Sequence, residues 1–453
     1  MEWLLFIALI IIEIGFAAYE VIGKRSKKLW WEKRFIVNVA EIFVYLIMLF
    51  FPGIDFSFRW KGLVIILIMR IMIAGFFAFI NRKNESEKNK ICLLFGSFGS
   101  ILILIISMIP AFIFEDYAGR PVTGPYGVAH CDAILIDSQR VEEFETDGSY
   151  REVPVHFFYP ESVASLEADS LPLIIFSHGA FGYYQSNTST YMELASNGYV
   201  VVSLDHPYHS FFTKDTNGKT ILVDKGFFQD AMEIGSKESD ESAVYEATST
   251  WINLREADMN FALDTIQNAD ETKEFGSEWY IPEGEQELKN VFKCIDSEKV
   301  GLMGHSLGGA TAVTVGRRED VSAVIDFDGT MLGEEIGVEG NKVLLNETTY
   351  DTPILCFDSE SHHADRVKAK NTGYVYVNNV IMENATTGYS TYFEGAQHMN
   401  FTDLPLFSPL LAKNLGMGKV DPEECIDRIN QITLDFFNTY LKGEGEFNVN
   451  EKY

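Results

Sequence analysis

The stretch VGLMGHSLGGATAV, residues 300–313, holds the strongest chemical signal in the chain. An apolar run breaks at Gly304-His305-Ser306-Leu307-Gly308 and resumes at once in small, helix-compatible residues. A sharp strand-to-helix turn of this kind lifts a serine hydroxyl above a sheet, where it can attack a carbonyl. Serine is a weak nucleophile by itself, so this reading demands a base, an acid to orient the base, and donors for an oxyanion. An ordinary glycine turn needs none of these, and five residues alone do not separate the two readings.

The donors come from LPLIIFSHGAFG, residues 171–182, where an apolar run ends at His178-Gly179-Ala180. Glycine there lets the backbone turn sharply and aim an amide at the site. One amide of such a loop pairs with the amide after the nucleophile, which makes Ala180 and Leu307 the candidate donors. His178 is read as a brace for that loop. For the base, the order serine, acid, histidine leaves His362, His363 and His398. The first two trail TPILCFDSE directly, too early for a base beyond the last strand. His398, in STYFEGAQHMNFTD, follows that strand. The acid has several candidates: AVIDFDGTM offers Asp326 and Asp328, and LCFDSE offers Asp358. Alternation points Asp326 and Asp328 the same way, with Asp328 nearer the rim. Spacing alone leaves Asp328 and Asp358 both open.

Chemistry of this kind needs strand ends gathered along one edge. From Cys131 onward, short apolar strands alternate with helical patterns. LPLIIFSHG and YVVVSLDHP read as near-continuous apolar strands, as a parallel sheet buried on both faces requires. The expectation is an α/β domain, an α/β-hydrolase fold with a mostly parallel sheet and helices on both faces. Its ligands would bind outside the carboxyl ends of the strands. Residues 207–245 interrupt the rhythm and are read as a cap or lid beside the site. Apolar residues around Phe181–Tyr184 and Phe211–Phe212 are candidates for an acyl pocket, or equally for core.

The first 114 residues are of another kind. Four apolar stretches, 3–21, 35–51, 63–80 and 91–114, each have the length of a membrane-crossing helix. The expected organisation is an all-α four-helix transmembrane region over 1–114 and an extracytoplasmic hydrolase domain over 115–453. Lys24, Arg25, Lys27, Lys28, Lys33 and Arg34 follow the first stretch; Arg82, Lys83, Lys88 and Lys90 follow the third. The loop between has only Arg59 and Lys61, so the positive-inside bias places the first and third loops in the cytoplasm. Residues 1–114 carry a net charge of +5 against −34 for the remainder, within the overall −29. So acidic a domain repels nucleic acid and is not drawn to anionic lipid. Glu13 and Arg70 fall at matching depths and are expected to pair. Gly96-Ser97-Phe98-Gly99-Ser100 reads as a close-packing face. The five cysteines show no metal-ligand spacing and read as free thiols. No cofactor or metal is called for, and nothing speaks to oligomeric state.

FSHGAFG, GHSLGGATAV, IDFDGTM and GAQHMNFTDL resemble the plasma-type (lipoprotein-associated) platelet-activating factor acetylhydrolases and their bacterial relatives. TGPYGVAHCDAILIDS and REVPVHFFYP are similar to the N-terminal strands of bacterial members, so the resemblance covers residues 121–442 in one order. It implies that the acid follows the strand after the nucleophile helix, which favours Asp328 and leaves Asp358 the alternative. It also implies calcium-independent hydrolysis of phospholipids with short or oxidised sn-2 acyl chains. Two features depart from the family: the four spans, and the lengthened LGEEIGVEGNKVLLNETTYD after Asp328. The expected function is a membrane-tethered serine ester hydrolase acting on a lipid ester through Ser306, His398 and Asp328. A general carboxylesterase of small esters is the alternative, and a non-catalytic membrane sensor or assembly module the reading of a different class.

Overall fold

The computed structural model describes residues 2–23, 26–234, 241–272, 274–340 and 342–453. Lys24 and Arg25 of the first basic loop, positions 235–240 of the 207–245 insertion, and Asn341 of the lengthened segment lie outside them. The chain divides into two compact units: Met1–Ala118 with Leu406–Leu411, and Gly119–Pro405 with Ala412–Tyr453.

The first unit is built on helices α1 (Glu2–Ile22), α2 (Lys27–Met48), α3 (Phe58–Ile80) and α4 (Lys90–Ile113). Among the described residues, three are long and apolar enough to cross a membrane: α1, α3 and α4. α2 starts eight residues before the apolar stretch read from the sequence, and Trp30, Arg34, Asn38, Glu41 and Tyr45 form one buried stripe along it. Arg34, counted above as a loop charge, is therefore inside the bundle. It donates twice to Glu13, at 2.7 Å each, and to Ser100 Oγ at 2.6 Å. Arg70 also donates to Glu13, the pairing expected, and its Nη1 lies 3.0 Å from Glu41. Ile11, Ile47, Met72, Phe76 and Phe95 meanwhile face outward. Charges inside and apolar side chains outside suit a bundle whose solvent is hydrocarbon. The expected glycine packing in α4 does not occur: a Cβ on Gly96 or Gly99 would meet nothing within 4 Å. Ser97 and Ser100 are the inward-facing members instead, as the arginines need acceptors more than the helices need close contact.

The second unit opens with β1 (Val128–Val141), β2 (Tyr150–Pro160), β3 (Leu171–Ser177), α5 (Thr188–Ser196) and β4 (Val200–Leu204). The insertion forms a hairpin, β5 (Phe212–Lys214) and β6 (Thr220–Leu222), then α6 (Lys225–Ile234); α7 (Glu241–Thr272) follows. Next come β7 (Trp279–Tyr280), α8 (Glu285–Cys294), β8 (Ile295–His305), α9 (Leu307–Val315) and β9 (Ala323–Phe327). The lengthened segment is a hairpin, β10 (Glu335–Glu339) and β11 (Lys342–Leu345). β12 (Ile354–Ser359), α10 (Glu360–Thr372), α11 (Val377–Asn384) and β13 (Gly388–Phe393) are followed by α12 (Leu404–Phe407) and α13 (Pro409–Asn414), parts of which, Leu406–Leu411, belong to the first unit, and then by α14 (Pro422–Lys442).

One nine-stranded sheet runs in the order β13-β12-β9-β8-β3-β4-β2-β1-β7. Pairing is parallel from β13 through β4 and antiparallel beyond. The central strands are apolar throughout because both faces are covered. On one face Leu173, Ile175, Val202 and Leu302 pack with Met259 and Leu263 of α7 and Val313 of α9. On the other, Phe176 meets Tyr191 of α5 at 5.0 Å between ring centroids, and Gly301 makes room for Phe437 and Leu441 of α14. The parallel strands end together at Ser177, Leu204, His305, Phe327, Ser359 and Phe393, and the site is built on that edge. All five cysteines are free.

Candidate active site

Register places the serine. Gly304 pairs with Ser177 of β3 and Asp326 of β9, so Ser306 stands just past the ends of three adjacent strands. The turn is extremely tight. A Cβ on Gly304 would lie 2.2 Å from Gly308 O, and one on Gly308 would lie 2.0 Å from Ser177 O. Only glycine allows the helix start to press this closely on the strand ends. Ser306 adopts φ 56°, ψ −123°, a conformation side chains normally avoid. Its amide donates to Phe327 O at 2.9 Å, which locks the turn to β9.

Of the acid candidates, Asp328 meets His398: its Oδ2 accepts from His398 Nδ1 at 2.7 Å. Oδ1 accepts from Ser359 N–H at 2.6 Å and lies 3.1 Å from His362 Nδ1. Burial would raise the Asp328 pKa, but the bonds from His362 and His398 prevail and hold the carboxyl well below the usual range. Asp358 is committed elsewhere, paired with Arg366 and buried. Asp326 accepts from Gly329 N–H at 2.9 Å and braces the Asp328 turn; burial pushes its pKa well above normal. His398 is partly exposed and is tied back through its carbonyl, which accepts from His305 Nε2 at 3.1 Å. Burial and His398 hold His305 neutral, at about 3. Ser306 and His398 line the same cavity without a direct hydrogen bond among the described residues, a spacing common before substrate binds.

Ala180 and Leu307 also line that cavity. Among the described residues no group accepts from either amide. Gly179 brings the donor loop against the nucleophile, since a Cβ there would lie 3.1 Å from Ser306 Cβ. His178 braces the loop, with Nδ1 2.7 Å from Gly179 O and Nε2 2.7 Å from Ser210 Oγ. Burial keeps it neutral, its pKa far below normal.

The cavity, of about 390 Å³, takes its apolar wall from Trp251, Leu307 and Leu332. The aromatic residues singled out above do not line it. Phe181 packs on Phe227 of α6, and Phe211 and Phe212 face outward. The insertion nonetheless reaches the site's edge, because Phe227 shares a cluster with Leu307, Ala180 and Trp251. Sequence reading missed Trp251, His305 and Ser359, and set His362 aside as a base without its contact to Asp328. Trp251 sits mid-helix with no local signal, whereas His305 and His362 adjoin strand ends and were within reach. Asp328, Asp358 and His362 bring ligand atoms within 4.8 Å of one another. His398 and Arg366 already engage the two carboxylates, so the cluster is an ion-pair network.

The sequence family described as platelet-activating factor acetylhydrolase, isoform II, matches residues 152–452, which hold every residue of this site. The chain belongs to that family. It is 25% identical over 296 residues to the platelet-activating factor acetylhydrolase of Cavia porcellus, covering 60% of this chain and 58% of the relative. The Gallus gallus protein of the same name is 24% identical over 301 residues, covering 62% and 64%. The chain thus spans about three fifths of the length of the curated relatives it matches. A ferulic acid esterase from Streptomyces cinnamoneus superposes with a TM-score of 0.50 at 18% identity, over 73% of this chain and 95% of that one. That likeness supports the α/β-hydrolase fold. The apolar helices α1, α3 and α4 precede the matched residues.

Proposed function

We propose that the chain is a membrane-anchored serine hydrolase of carboxylic esters that releases a short or oxidised sn-2 acyl chain from phospholipid. The observation that carries this reading is the Asp328–His398 bond at the cavity that also holds Ser306. Ser306 Oγ attacks the ester carbonyl as His398 Nε2 takes its proton. The Ala180 and Leu307 amides receive the oxyanion, and His398 returns the proton to the leaving alkoxide. Water, activated by His398, then releases the acyl group and regenerates Ser306. Asp328 fixes the His398 tautomer and offsets the charge of the imidazolium. The lipid class rests on family membership and on the anchoring helices.

In this reading residues 1–114 form the anchor, with α2 as a fourth membrane helix whose charges are satisfied inside the bundle. Residues 115–453 form the extracytoplasmic hydrolase, and 207–245 its lid. Lys27, Lys28, Arg82, Lys83, Lys88 and Lys90 favour cytoplasmic connections for α1–α2 and α3–α4. The test is hydrolysis of phospholipids with sn-2 acetyl, medium and long acyl chains by the detergent-solubilised full chain, with Ser306→Ala as control. Preference for sn-2 acetyl supports the reading. Serine-dependent turnover of small esters without phospholipid cleavage would replace it with a general carboxylesterase, and failure of an active-site serine probe to label Ser306 would overturn catalysis altogether.

A further inference from the structure

A fully buried arginine lies directly behind the donor loop. Arg255, on α7, is 0% exposed. Its Nη1 donates to His178 O, its Nη2 to Gly179 O at 3.3 Å, and its Nε approaches His209 Nδ1 at 3.4 Å. Among the described residues it makes no ion pair. Neighbouring Arg151 behaves conventionally, binding Asp258 through two bonds at 3.1 and 2.7 Å and Glu142 at 2.9 Å. Burying a cation without a direct ion pair is expensive, and simple packing does not require it.

The two carbonyls identify what Arg255 acts on. Gly179 C=O belongs to the peptide whose N–H is that of Ala180. A peptide is planar and trans, so fixing the oxygen fixes the direction of the hydrogen on the opposite side. Gly179 O is held by Arg255 Nη2, by His178 Nδ1 at 2.7 Å and by Gly182 N–H at 3.1 Å. His178 O belongs to the preceding peptide and is held by Nη1. Two consecutive peptides are thus pinned from behind, and the residue after Ala180 closes the turn at φ 61°. A cation on the carbonyl side also polarises the amide and strengthens its N–H as a donor. Burial pulls Arg255 down to about 9, opposed by Asp258, which leaves it charged at neutral pH.

We propose that Arg255 is a positioning residue for the oxyanion hole, orienting and polarising the Gly179–Ala180 peptide so that the Ala180 N–H meets the developing oxyanion. This rests on the serine-hydrolase reading above, not on the identity of the lipid. Trp251, one helical turn earlier, lines the cavity, so a single face of α7 would serve both the acyl wall and the hole.

The experiment uses the full chain in detergent, p-nitrophenyl acetate as substrate, and a fluorophosphonate to count reactive sites at the end point. Arg255→Met should lower kcat per titrated site by about 10²-fold with KM within threefold, the loss typical of one missing donor. A reversible trifluoromethyl ketone, which forms the tetrahedral adduct, should weaken by the same factor as kcat/KM. Arg255→Lys, which keeps charge and bulk but reaches one carbonyl, should lose about tenfold and decides the question if the methionine variant yields no titratable sites. Unchanged kcat per titrated site, or a fall in kcat with ketone affinity intact, would overturn the proposal. Turnover surviving in Ser306→Ala would instead sink the serine-hydrolase reading, and lack of phospholipid cleavage by the parent chain would touch only the choice of substrate.

Discussion

Replacing Asp328 by asparagine gives the sharpest check on the acid. The Oδ1 position faces Ser359 N–H at 2.6 Å, a donor that an amide nitrogen cannot accept. The asparagine must therefore keep its oxygen there and turn its NH₂ toward His398 Nδ1, which Oδ2 now faces at 2.7 Å. Two donors cannot share that line, so His398 moves its proton to Nε2 and presents N–H, rather than a lone pair, to Ser306. The base is lost while packing is kept. Where an asparagine enforces the wrong tautomer in this way, turnover falls about 10⁴-fold, which is about 5.5 kcal/mol of transition-state stabilisation. The assay is kcat for p-nitrophenyl acetate per titrated serine, followed from pH 6 to 10. Activity retained within tenfold, or a larger loss in Asp358→Asn, would refute both the choice of acid and the tautomer argument.

Asp358→Asn should leave turnover within about tenfold but lower the thermal midpoint, because it strands the buried Arg366; losing one partner of such a pair costs about 3–5 kcal/mol. His362→Asn replaces a ring that lies 3.1 Å from Asp328 Oδ1 and whose pKa Asp328 and Asp358 raise against its burial. The freed carboxylate then favours the His398 imidazolium, and the acid limb of kcat/KM should move to higher pH. His156 is raised to about 9 by Asp132 and Asp205 against the cost of burial. That contribution is complete below pH 6.5 and lost as pH rises through 9, worth roughly 3 kcal/mol. Thermal midpoints should therefore fall from pH 6.5 to 9.5 in the parent chain and less so in His156→Gln. Glu13→Gln should destabilise the detergent-solubilised chain by leaving Arg34 and Arg70 without their shared carboxylate, and adding Arg70→Leu should recover part of the loss.

How much of this was legible depends on whether a signal is local. The nucleophile turn is largely local: Gly304 is demanded by Gly308 four residues on, and although Gly308 answers to Ser177 on the neighbouring strand, the sequence displays both glycines directly. The strand series is local too, since a two-sided parallel sheet writes itself as apolar runs. The acid was not local. Asp326, Asp328 and Asp358 all end parallel strands, and only the partners they meet across the edge, Gly329 N–H, His398 and Arg366, separate them. Trp251 and Arg255 were invisible for the same reason, being ordinary helix residues until the donor loop lies against them. In the bundle, charge was read by position along the chain, whereas Arg34 belongs to the helix interior because Glu13 is there to receive it.

The strand order has a consequence in time. The proposed nucleophile, Ser306, directly follows β8, but the proposed base, His398, follows β13, the last strand and the outermost on its side, 92 residues later in the chain. During synthesis the serine and its turn emerge well before any histidine that can deprotonate it. A nascent or C-terminally clipped chain ending before His398 thus contains Ser306 and its turn, yet lacks both the Asp328–His398 couple and α14, which covers one face of the sheet. In the proposed mechanism such a chain stays inert, because the residue that completes the site comes in only after the last strand of the sheet.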